Sequence, residues 1–176
     1  MKIGLCGTMS VGKTTLVNAL QQLPEFKDYK FRTERSKYLM SQGIPLNTDS
    51  TLKGQTVFLA ERCAELIQDN IITDRTVIDV MEFSQASKSM DITDKETFYV
   101  YACRLIKEYD YIFYVSPEGV DIEDNGVRET DAEYRDTIDT IIRFILGQQK
   151  HRIKNYGILE GPTEERIKQL KFQLGL

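Results

Sequence analysis

Short apolar runs alternate with amphipathic segments along the whole chain. Short strand-like segments, most of which contain an apolar run, lie at residues 2–6, 29–32, 70–74, 111–115 and 157–160. The segments between them repeat apolar residues at helical spacing, which predicts helices at 12–22, 36–41, 51–69, 77–87, 95–107, 132–149 and 163–173. This alternation is typical of an α/β fold with a mostly parallel sheet and helices on both faces.

Two segments sharpen this prediction. The helix at 51–69 has apolar residues every three or four positions, and Ser50 or Thr51 precedes it as the N-cap. The strand at 111–115, Tyr-Ile-Phe-Tyr-Val, is apolar at almost every position, which predicts burial on both faces. A parallel sheet of this kind binds ligands at the carboxyl ends of its strands, where the loops gather.

The bulk composition narrows the class of protein. With 176 residues the chain is long enough for one domain with a buried core. No run approaches the roughly 20 apolar residues of a membrane helix, and the net charge of −4 gives no overall attraction to nucleic acid. The N-terminus has no signal-peptide pattern, so we expect a cytoplasmic protein. Cys6, Cys63 and Cys103 are widely spaced and are expected to be reduced packing residues rather than metal ligands.

The segment directly after the first predicted strand is the strongest chemical signal. Residues 7–14, Gly-Thr-Met-Ser-Val-Gly-Lys-Thr, fit the pattern G-x-x-x-x-G-K-[ST] at every fixed position. Glycines let such a loop turn its N–H groups inward, and the following helix N-terminus adds partial positive charge for phosphate. Lys13 is expected to bridge the β- and γ-phosphates, and Thr14 to ligate Mg²⁺. The other predicted nucleotide-binding residues here are Gly7, Thr8, Met9, Ser10, Val11, Gly12 and Thr15.

A GTP switch, a molecular motor and a kinase can all contain this phosphate loop. A switch reads guanine with [NT]-K-x-D and senses the γ-phosphate with D-x-x-G, and neither string occurs in the chain. An AAA-type motor is expected to have a longer chain and an acidic pair after the third strand. That strand ends here in Asp74-Arg75, which favours a kinase.

The loop, the run Asp74-Arg75-Thr76 and an arginine-bearing segment after the fourth strand resemble the P-loop nucleoside and nucleotide kinases. The similarity covers nearly the whole chain. It is greatest to the thymidylate kinase-like and nicotinamide riboside kinase-like group, which includes small virus-encoded members. The resemblance implies a single domain, residues 1–176, with strand order 2-3-1-4-5 and a lid at about 117–135. It also implies ATP as the phosphoryl donor and Mg²⁺ as the cofactor.

Asp74 and Arg75 have distinct expected roles. An aspartate at the end of a parallel strand points into the ligand cleft. There Asp74 would orient or deprotonate the acceptor hydroxyl, or hold Mg²⁺ through water. The planar guanidinium of Arg75 would clamp an acceptor phosphate or the transferring group. A purely structural Asp–Arg pair at a helix N-terminus is the alternative interpretation.

The polar segment after the fourth strand supplies the predicted lid. Arg128 lies in Asp-Asn-Gly-Val-Arg, and Arg135 follows about two helical turns later. A closing lid would bring Arg128 over the γ-phosphate as a catalytic residue, with Arg135 contacting the nucleotide. The acidic residues around both arginines also fit a solvated loop with weak ion pairs.

The acceptor is expected between the second strand and the long helix. Glu34 follows that strand and is a second candidate for the general base. Gln55, Phe58 and Arg62 share one helix face. There they would hydrogen-bond and stack a nucleobase, although Phe58 fits core packing equally well. Thr163 lies in the loop that encloses adenine in the similar kinases, or else caps the last helix.

Three functions are compatible with the sequence. The first is transfer of the γ-phosphate of ATP to a hydroxyl or phosphate of a nucleoside or nucleotide. The second is phosphorylation of 5-hydroxymethyluracil within DNA by a viral enzyme in the host cytoplasm. The third is a regulatory module that binds nucleotide without turnover. None needs a membrane, and a homodimer is compatible with each.

The run at residues 149–154, Gln-Lys-His-Arg-Ile-Lys, is the most basic part of the chain. One interpretation is a set of cations that stabilises a helix C-terminus through the helix dipole. The other is a contact for a nucleic-acid backbone.

Overall fold

The computed structural model describes residues 1–33, 35–119 and 132–176. The strands are β1 (Lys2–Cys6), β2 (Lys30–Arg32), β3 (Ile71–Asp74), β4 (Tyr111–Val115) and β5 (Tyr156–Leu159). The helices are α1 (Lys13–Leu20), α2 (Ser36–Ser41), α3 (Leu52–Leu66), α4 (Val77–Ala86), α5 (Ile92–Cys103), α6 (Ala132–Gln148) and α7 (Thr163–Leu174). Short 3₁₀ turns lie at Pro24–Phe26, Asn47–Asp49, Ile106–Glu108 and Lys150–Arg152.

The five strands form one parallel sheet in the order β2-β3-β1-β4-β5. Leu5 of β1 lies opposite Asp74 of β3, and Cys6 lies opposite Tyr114 of β4. The order and direction of the strands confirm the prediction. Because β1 is central, the loop that leaves it opens between the ends of β3 and β4.

Helices cover both faces of the sheet. On one face, Leu16 of α1 and Leu170 of α7 pack against the strands. On the other face, α3, α4, α5 and α6 form a larger core that includes Ile142. Neighbouring residues of β4 alternate between the two cores, since Phe113 joins the first and Ile112 the second. The continuous apolar run of β4 therefore reflects burial on both faces, as predicted.

Side-chain caps decide where two of the helices begin. Thr51 caps α3 as expected, because its hydroxyl accepts a hydrogen bond from the Gly54 N–H at 3.1 Å. Helix α5 begins at Ile92, earlier than the predicted residue 95. The reason is Asp91, whose side chain accepts a hydrogen bond from the Asp94 N–H at 2.8 Å.

The predicted cap of α7 is wrong. Pro162, with ψ 163°, occupies the N-cap position, and Thr163 is the first residue of the helix. Proline fixes its own φ near the value required there and has no N–H to satisfy. The Thr163 hydroxyl is therefore not needed to begin this helix.

The three cysteines are free thiols. Cys6 and Cys103 are buried and Cys63 is half-buried, which agrees with their expected role as small packing residues. Within the described ranges, no helix combines the length and the apolar character that a bilayer span requires.

Candidate functional site

The loop between β1 and α1 has a backbone that few residues can adopt. Gly7 has φ 151°, and a Cβ there would lie 2.7 Å from the carbonyl oxygen of Val115. Gly12 (φ 81°) and Ser10 (φ 59°) also have positive φ. Helix α1 begins directly afterwards at Lys13, so the loop ends on a helix N-terminus. Close packing against the end of β4 thus explains the first glycine of the motif.

The ammonium group of Lys13 lies against this loop. The residue is 5% exposed, and Nζ donates hydrogen bonds to the carbonyl oxygens of Gly7 at 2.6 Å and Thr8 at 2.7 Å. Burial and the nearby positive charge of Arg75 lower the pKa of Lys13 to about 8. A bound anion would counteract both effects, because it favours the charged form of the amine. The position of Lys13 fits its predicted role as a phosphate ligand.

Asp74 brings the end of β3 to the loop. The residue is buried, and its Oδ2 accepts a hydrogen bond from the hydroxyl of Thr14. A hydroxyl beside a carboxylate is an oxygen set that suits Mg²⁺, so these two residues fit the predicted metal. In the described ranges, no group of three or more His, Cys, Asp or Glu residues is arranged to hold a metal ion. Mg²⁺ commonly keeps several water ligands and binds substrate phosphates beside one or two protein oxygens.

Arg75 follows with an uncommon backbone conformation. Its φ is 104°, a region that side-chain-bearing residues rarely adopt, and its N–H donates to the Leu5 carbonyl at 3.0 Å. The guanidinium lies 3.4 Å from Asp79 Oδ1 and 5.0 Å above the ring of Phe83. Strained residues of this kind concentrate at functional sites, which agrees with the functional interpretation of Arg75.

Asp79 connects α4 to the phosphate loop and is not singled out by the sequence motifs. It is fully buried and accepts hydrogen bonds from the Thr76 N–H at 2.7 Å and the Thr76 hydroxyl at 2.9 Å. Its other oxygen accepts from the Gly7 N–H at 3.3 Å. Thr76 and Asp79 form a capping box, so the spacing Thr-x-x-Asp predicts the cap. The bond to Gly7 depends on the sheet topology and has no local sequence signal.

A cavity of about 530 Å³ opens beside the phosphate loop, and we call it the acceptor cavity. Its walls come from the loop, α2, α3 and α4. Gln55, Phe58 and Arg62 of α3 all line it, which confirms that they share one face. The remaining lining residues are Met9, Thr14, Thr15, Arg35, Ser36, Lys37, Tyr38, Leu46, Asn47, Arg75, Asp79, Val80 and Phe83.

A second, much smaller depression lies over the phosphate loop itself. It is lined by Met9, Ser10, Val11, Gly12, Lys13, Thr14, Asp74 and Arg75. Three residues, Met9, Thr14 and Arg75, therefore line both this depression and the acceptor cavity. The two sites are adjacent and share a wall.

The arginines of the acceptor cavity are held by carboxylates. Arg62 is 2% exposed, donates from Nη2 to Glu65 Oε1 at 2.7 Å, and has Nε 2.7 Å from Oε2. Burial raises the pKa of Glu65 to about 7, although the charge of Arg62 opposes this shift. Arg35 lies 3.0 Å from Glu61, and Arg75 pairs with Asp79 as described above. The cavity thus presents oriented guanidinium groups whose charge is partly balanced.

Helix α6 reaches the phosphate loop at Arg135. The Thr8 hydroxyl donates to the Arg135 carbonyl at 3.2 Å, and the Arg135 guanidinium donates to the Pro117 carbonyl at 3.0 Å. One turn later Asp139 accepts a hydrogen bond from the Tyr114 hydroxyl at 2.6 Å, which fixes the helix against β4. The backbone of Arg135 therefore lies beside the loop, whereas the contact of its side chain with a nucleotide stays a prediction.

Some predicted site residues lie elsewhere or are not described. Glu34 and Arg128, both predicted to be catalytic, lie outside the described residues, as does most of the predicted lid. Thr15 is exposed and lines the acceptor cavity. Thr163 is half-buried at the start of α7 and, among the described residues, is not part of either cavity wall.

The basic run at 149–154 lies far from the loop in the topology. The run precedes β5, whereas the phosphate loop follows β1. Because the strands are parallel, the run lies at their amino ends and the loop at their carboxyl ends. Lys154 pairs with Asp110 at 2.9 Å, and the 3₁₀ turn Lys150–Arg152 directly follows α6. This position fits cations at a helix C-terminus better than a nucleic-acid contact that serves the site.

The fold and site together define a P-loop protein in which a phosphate loop adjoins a second ligand-sized cavity. The chain belongs to the family described as AAA domain, which matches residues 2–166. Asp74-Arg75 at the end of β3 still distinguishes it from the acidic pair expected of an AAA-type motor. The sequence matches none of the curated proteins with which it was compared.

Solved structures share the fold over almost the whole chain. Deoxyadenosine kinase from M. mycoides with bound dCTP has a TM-score of 0.71 at 19% identity, and 99% of each chain is covered. The NadR protein in complex with NR has a TM-score of 0.74 at 14% identity, over 99% of this chain and 51% of NadR. The YorR protein from Bacillus subtilis, in complex with phosphorylated GDP, has a TM-score of 0.56 at 16% identity, over 99% of this chain and 95% of YorR. These similarities confirm the predicted P-loop kinase fold.

Proposed function

We propose that this protein is an ATP- and Mg²⁺-dependent kinase that phosphorylates a hydroxyl or phosphate of a nucleoside or nucleotide. The observation that carries the proposal is the wall of Met9, Thr14 and Arg75 that the phosphate loop and the acceptor cavity share. Direct transfer needs donor and acceptor held in contact, and two adjoining sites provide this. The names of two proteins with the same fold, deoxyadenosine kinase and NadR with its bound NR, support the same chemistry.

On the donor side, the loop N–H groups and Lys13 would hold the β- and γ-phosphates, with Arg75 at the transferring group. Mg²⁺, when bound at Thr14 and Asp74, supplies electrostatic stabilisation of the phosphate charge. Arg128 and Arg135 are the proposed lid cations. Thr15 and Thr163 are proposed to contact the nucleotide. Phosphoryl transfer of this kind depends mainly on positioned positive charge.

Asp74 and Glu34 are both proposed for the proton of an acceptor hydroxyl. The hydrogen bond from Thr14 engages Asp74 Oδ2 on the side of the proposed metal. This contact favours a metal-side role for Asp74 and leaves Glu34 as the proposed general base. The variants Asp74→Asn and Glu34→Gln separate these roles, because only loss of the base would remove the acidic limb of the pH–rate profile.

The acceptor cavity favours a free small molecule. Its volume of about 530 Å³ lies in the range of cavities that enclose single small ligands. Gln55 and Asn47 offer polar groups, and Phe58, Phe83 and Tyr38 offer aromatic surface, which together suit a base and a sugar. The most basic run of the chain lies at the opposite ends of the strands, so it adds no duplex-binding surface beside this cavity, which favours the small acceptor.

Radiolabelled ATP and a panel of acceptors test the proposal. The panel contains deoxynucleosides, ribonucleosides, nicotinamide riboside, nucleoside monophosphates and DNA with 5-hydroxymethyluracil. We expect label in a small molecule, and its loss in Lys13→Ala and Asp74→Ala. The matched controls Lys168→Ala and Asp69→Ala remove the same charges at exposed positions and should transfer normally.

Each other outcome has a definite meaning. Label only in DNA would replace the small acceptor by a base in DNA. ATP binding without label in any acceptor would favour the regulatory module. Transfer that survives both Lys13→Ala and Asp74→Ala would contradict the proposed site. GTP in place of ATP in the same assay establishes the donor preference.

A further inference from the structure

Helix α7 places a buried arginine behind the phosphate loop. Arg166 is 3% exposed; its Nη1 donates to the carbonyl oxygen of Val11, and its Nη2 donates to that of Ser116 at 3.0 Å. Nη1 also lies 3.3 Å from the point that a Cβ of Gly12 would occupy. A single guanidinium therefore joins α7, the phosphate loop and the end of β4.

The charge of Arg166 has no carboxylate partner among the described residues. Its guanidinium donates hydrogen bonds to the Val11 and Ser116 carbonyls, and its Nε is buried without a hydrogen-bond partner in the described ranges. Burial lowers the pKa of the guanidinium, yet arginine stays charged at neutral pH. A buried cation without an ion pair destabilises the fold unless another anion offsets it. The triphosphate proposed to bind this loop is such an anion.

The contact with Val11 also determines how one loop peptide is oriented. In a trans peptide the C=O and the following N–H point in opposite directions. Because Arg166 holds the Val11 carbonyl toward α7, the Gly12 N–H points to the other side of the loop, away from α7. Gly12 has φ 81°, and glycine adopts either sign of φ at little cost. This peptide could flip easily if Arg166 did not hold its carbonyl.

A flipped peptide would present a carbonyl oxygen where a phosphate needs an N–H. A flip would also leave Nη1 of the buried Arg166 without this acceptor, and a buried donor without a partner costs free energy. The interaction with Arg166 is charge-assisted, which makes it stronger than a bond from a neutral donor. Arg166 therefore holds the loop in its anion-binding form from the side of α7, although it is 155 residues from Val11 in the sequence.

We propose that Arg166 is a positioning residue of the nucleotide site: it fixes the Val11–Gly12 peptide in the phosphate-binding orientation and adds its unbalanced charge to the field at the loop. The proposal rests on the proposed nucleotide binding but not on phosphoryl transfer. It assigns α7 a role in donor binding alone, since the acceptor cavity is built by the loop, α2, α3 and α4.

Calorimetric titration with ATP and AMP tests the proposal directly. Arg166→Met removes the charge and both hydrogen bonds, and we expect it to weaken ATP binding by about tenfold or more. AMP binding should weaken less, because AMP lacks the β- and γ-phosphates that the loop is proposed to hold. Arg166→Lys keeps the charge but cannot bond both carbonyls at once. Its affinity for ATP should therefore lie between those of the wild type and Arg166→Met. Lys168→Met, an exposed charge removal on the same helix, should bind ATP like the wild type.

Steady-state kinetics separate positioning from a general structural effect. Arg166→Met should raise the KM for ATP and leave the KM for the acceptor within about twofold of the wild-type value. If both KM values rise in parallel, or ATP affinity is unchanged, the role assigned to Arg166 is wrong. If Arg166→Met does not fold, Arg166→Lys decides: weaker ATP binding supports the proposal, and wild-type binding overturns it. Wild-type protein that fails to bind ATP would instead refute the proposed function.

Discussion

Thr14 donates a hydrogen bond from Oγ1 to Asp74 Oδ2, across 60 residues of sequence. This bond joins the phosphate loop to the end of β3 and places the two proposed Mg²⁺ ligands side by side. It also explains why the motif and the Asp-Arg pair belong to one site. The parallel register brings this about, because Asp74 is paired with Leu5, the residue just before the end of β1.

The Thr14 hydroxyl is therefore expected to set the metal requirement. Thr14→Ala should lower kcat by about 100-fold or more, because metal stabilisation of phosphate charge is worth several kcal/mol. Thr14→Ser keeps the hydroxyl and should retain most activity with a modestly higher Mg²⁺ requirement. The measurement is kcat against Mg²⁺ concentration, with chelator as the zero point.

Thr140→Ala is the matched control, because Thr140 is exposed on α6. It should show the wild-type Mg²⁺ curve. An unchanged curve for Thr14→Ala as well would show that Thr14 does not serve the metal.

The backbone of Arg75 predicts an unusual order of stability. Arg75→Gly and Arg75→Ala both lose the contacts with Asp79 and Phe83, so the difference between them reports the backbone alone. At φ 104°, glycine should be the more stable variant by about 1 kcal/mol, because it relieves the positive-φ strain. Urea unfolding measures the difference, and both variants should lose transfer activity.

The control pair has the opposite expected order. Lys168 lies within α7, where alanine favours the helix more than glycine does. The free energy of unfolding should therefore be higher for Lys168→Ala than for Lys168→Gly, by up to about 1 kcal/mol. If alanine is also the better residue at position 75, the strain there contributes nothing measurable.

Local sequence patterns were sufficient for the strands and the phosphate loop. The predicted strand segments match the observed strands within one residue at either end, and the loop motif needs only the eight consecutive positions 7–14. Both features depend on neighbours in sequence. The strand order followed from resemblance to the P-loop kinases, and the observed sheet confirms it.

The remaining features depend on contacts between distant segments. Arg166 stands in Thr-Glu-Glu-Arg-Ile-Lys, where nothing separates it from a solvated helix charge, yet it contacts Val11. Glu82 is likewise an ordinary glutamate by sequence but is fully buried, and burial raises the pKa of its carboxyl. Asp79 reaches Gly7 only because β1 and α4 are brought together by the sheet. Periodicity predicts which face is apolar, but not which charges the topology encloses.

The low pKa of Lys13 predicts a pH-dependent term in stability. Its pKa falls from 10.5 to about 8 on folding, so between these values the unfolded chain binds more protons than the native one. The free energy of unfolding therefore rises with pH through this window, by an amount on the order of 3 kcal/mol. Urea unfolding of the wild type and of Lys13→Met is measured at several pH values between 8 and 10.5. The difference between their free energies of unfolding gives the contribution of Lys13.

Two comparisons check this pH effect. Lys168→Met should follow the wild type in parallel, because its ammonium is exposed. Saturating ATP should flatten the pH dependence of the difference between the wild type and Lys13→Met, since bound phosphate favours the charged amine and raises its pKa, although ATP increases the difference itself by stabilising the wild type. A difference that is flat across the window, or that has the opposite sign, would show that Lys13 is not desolvated in the native protein.

Gln55 should control acceptor binding without affecting the donor. It is 3% exposed, lies on the α3 face that lines the acceptor cavity, and has an amide that can pair with a base edge. Gln55→Ala should raise the KM for the acceptor by about tenfold, the cost of leaving a polar ligand group unpaired. The KM for ATP should stay near the wild-type value, because Gln55 is not part of the depression over the phosphate loop.

Gln148→Ala is the matched control, since Gln148 is exposed at the end of α6. It should leave both KM values unchanged. Gln55→Ala should raise only the KM for the acceptor, whereas Arg166→Met should raise only the KM for ATP. This contrast would show that the two residues serve different substrates. If Gln55→Ala raised the KM for ATP and left the KM for the acceptor unchanged, the assignment of the larger cavity to the acceptor would be wrong.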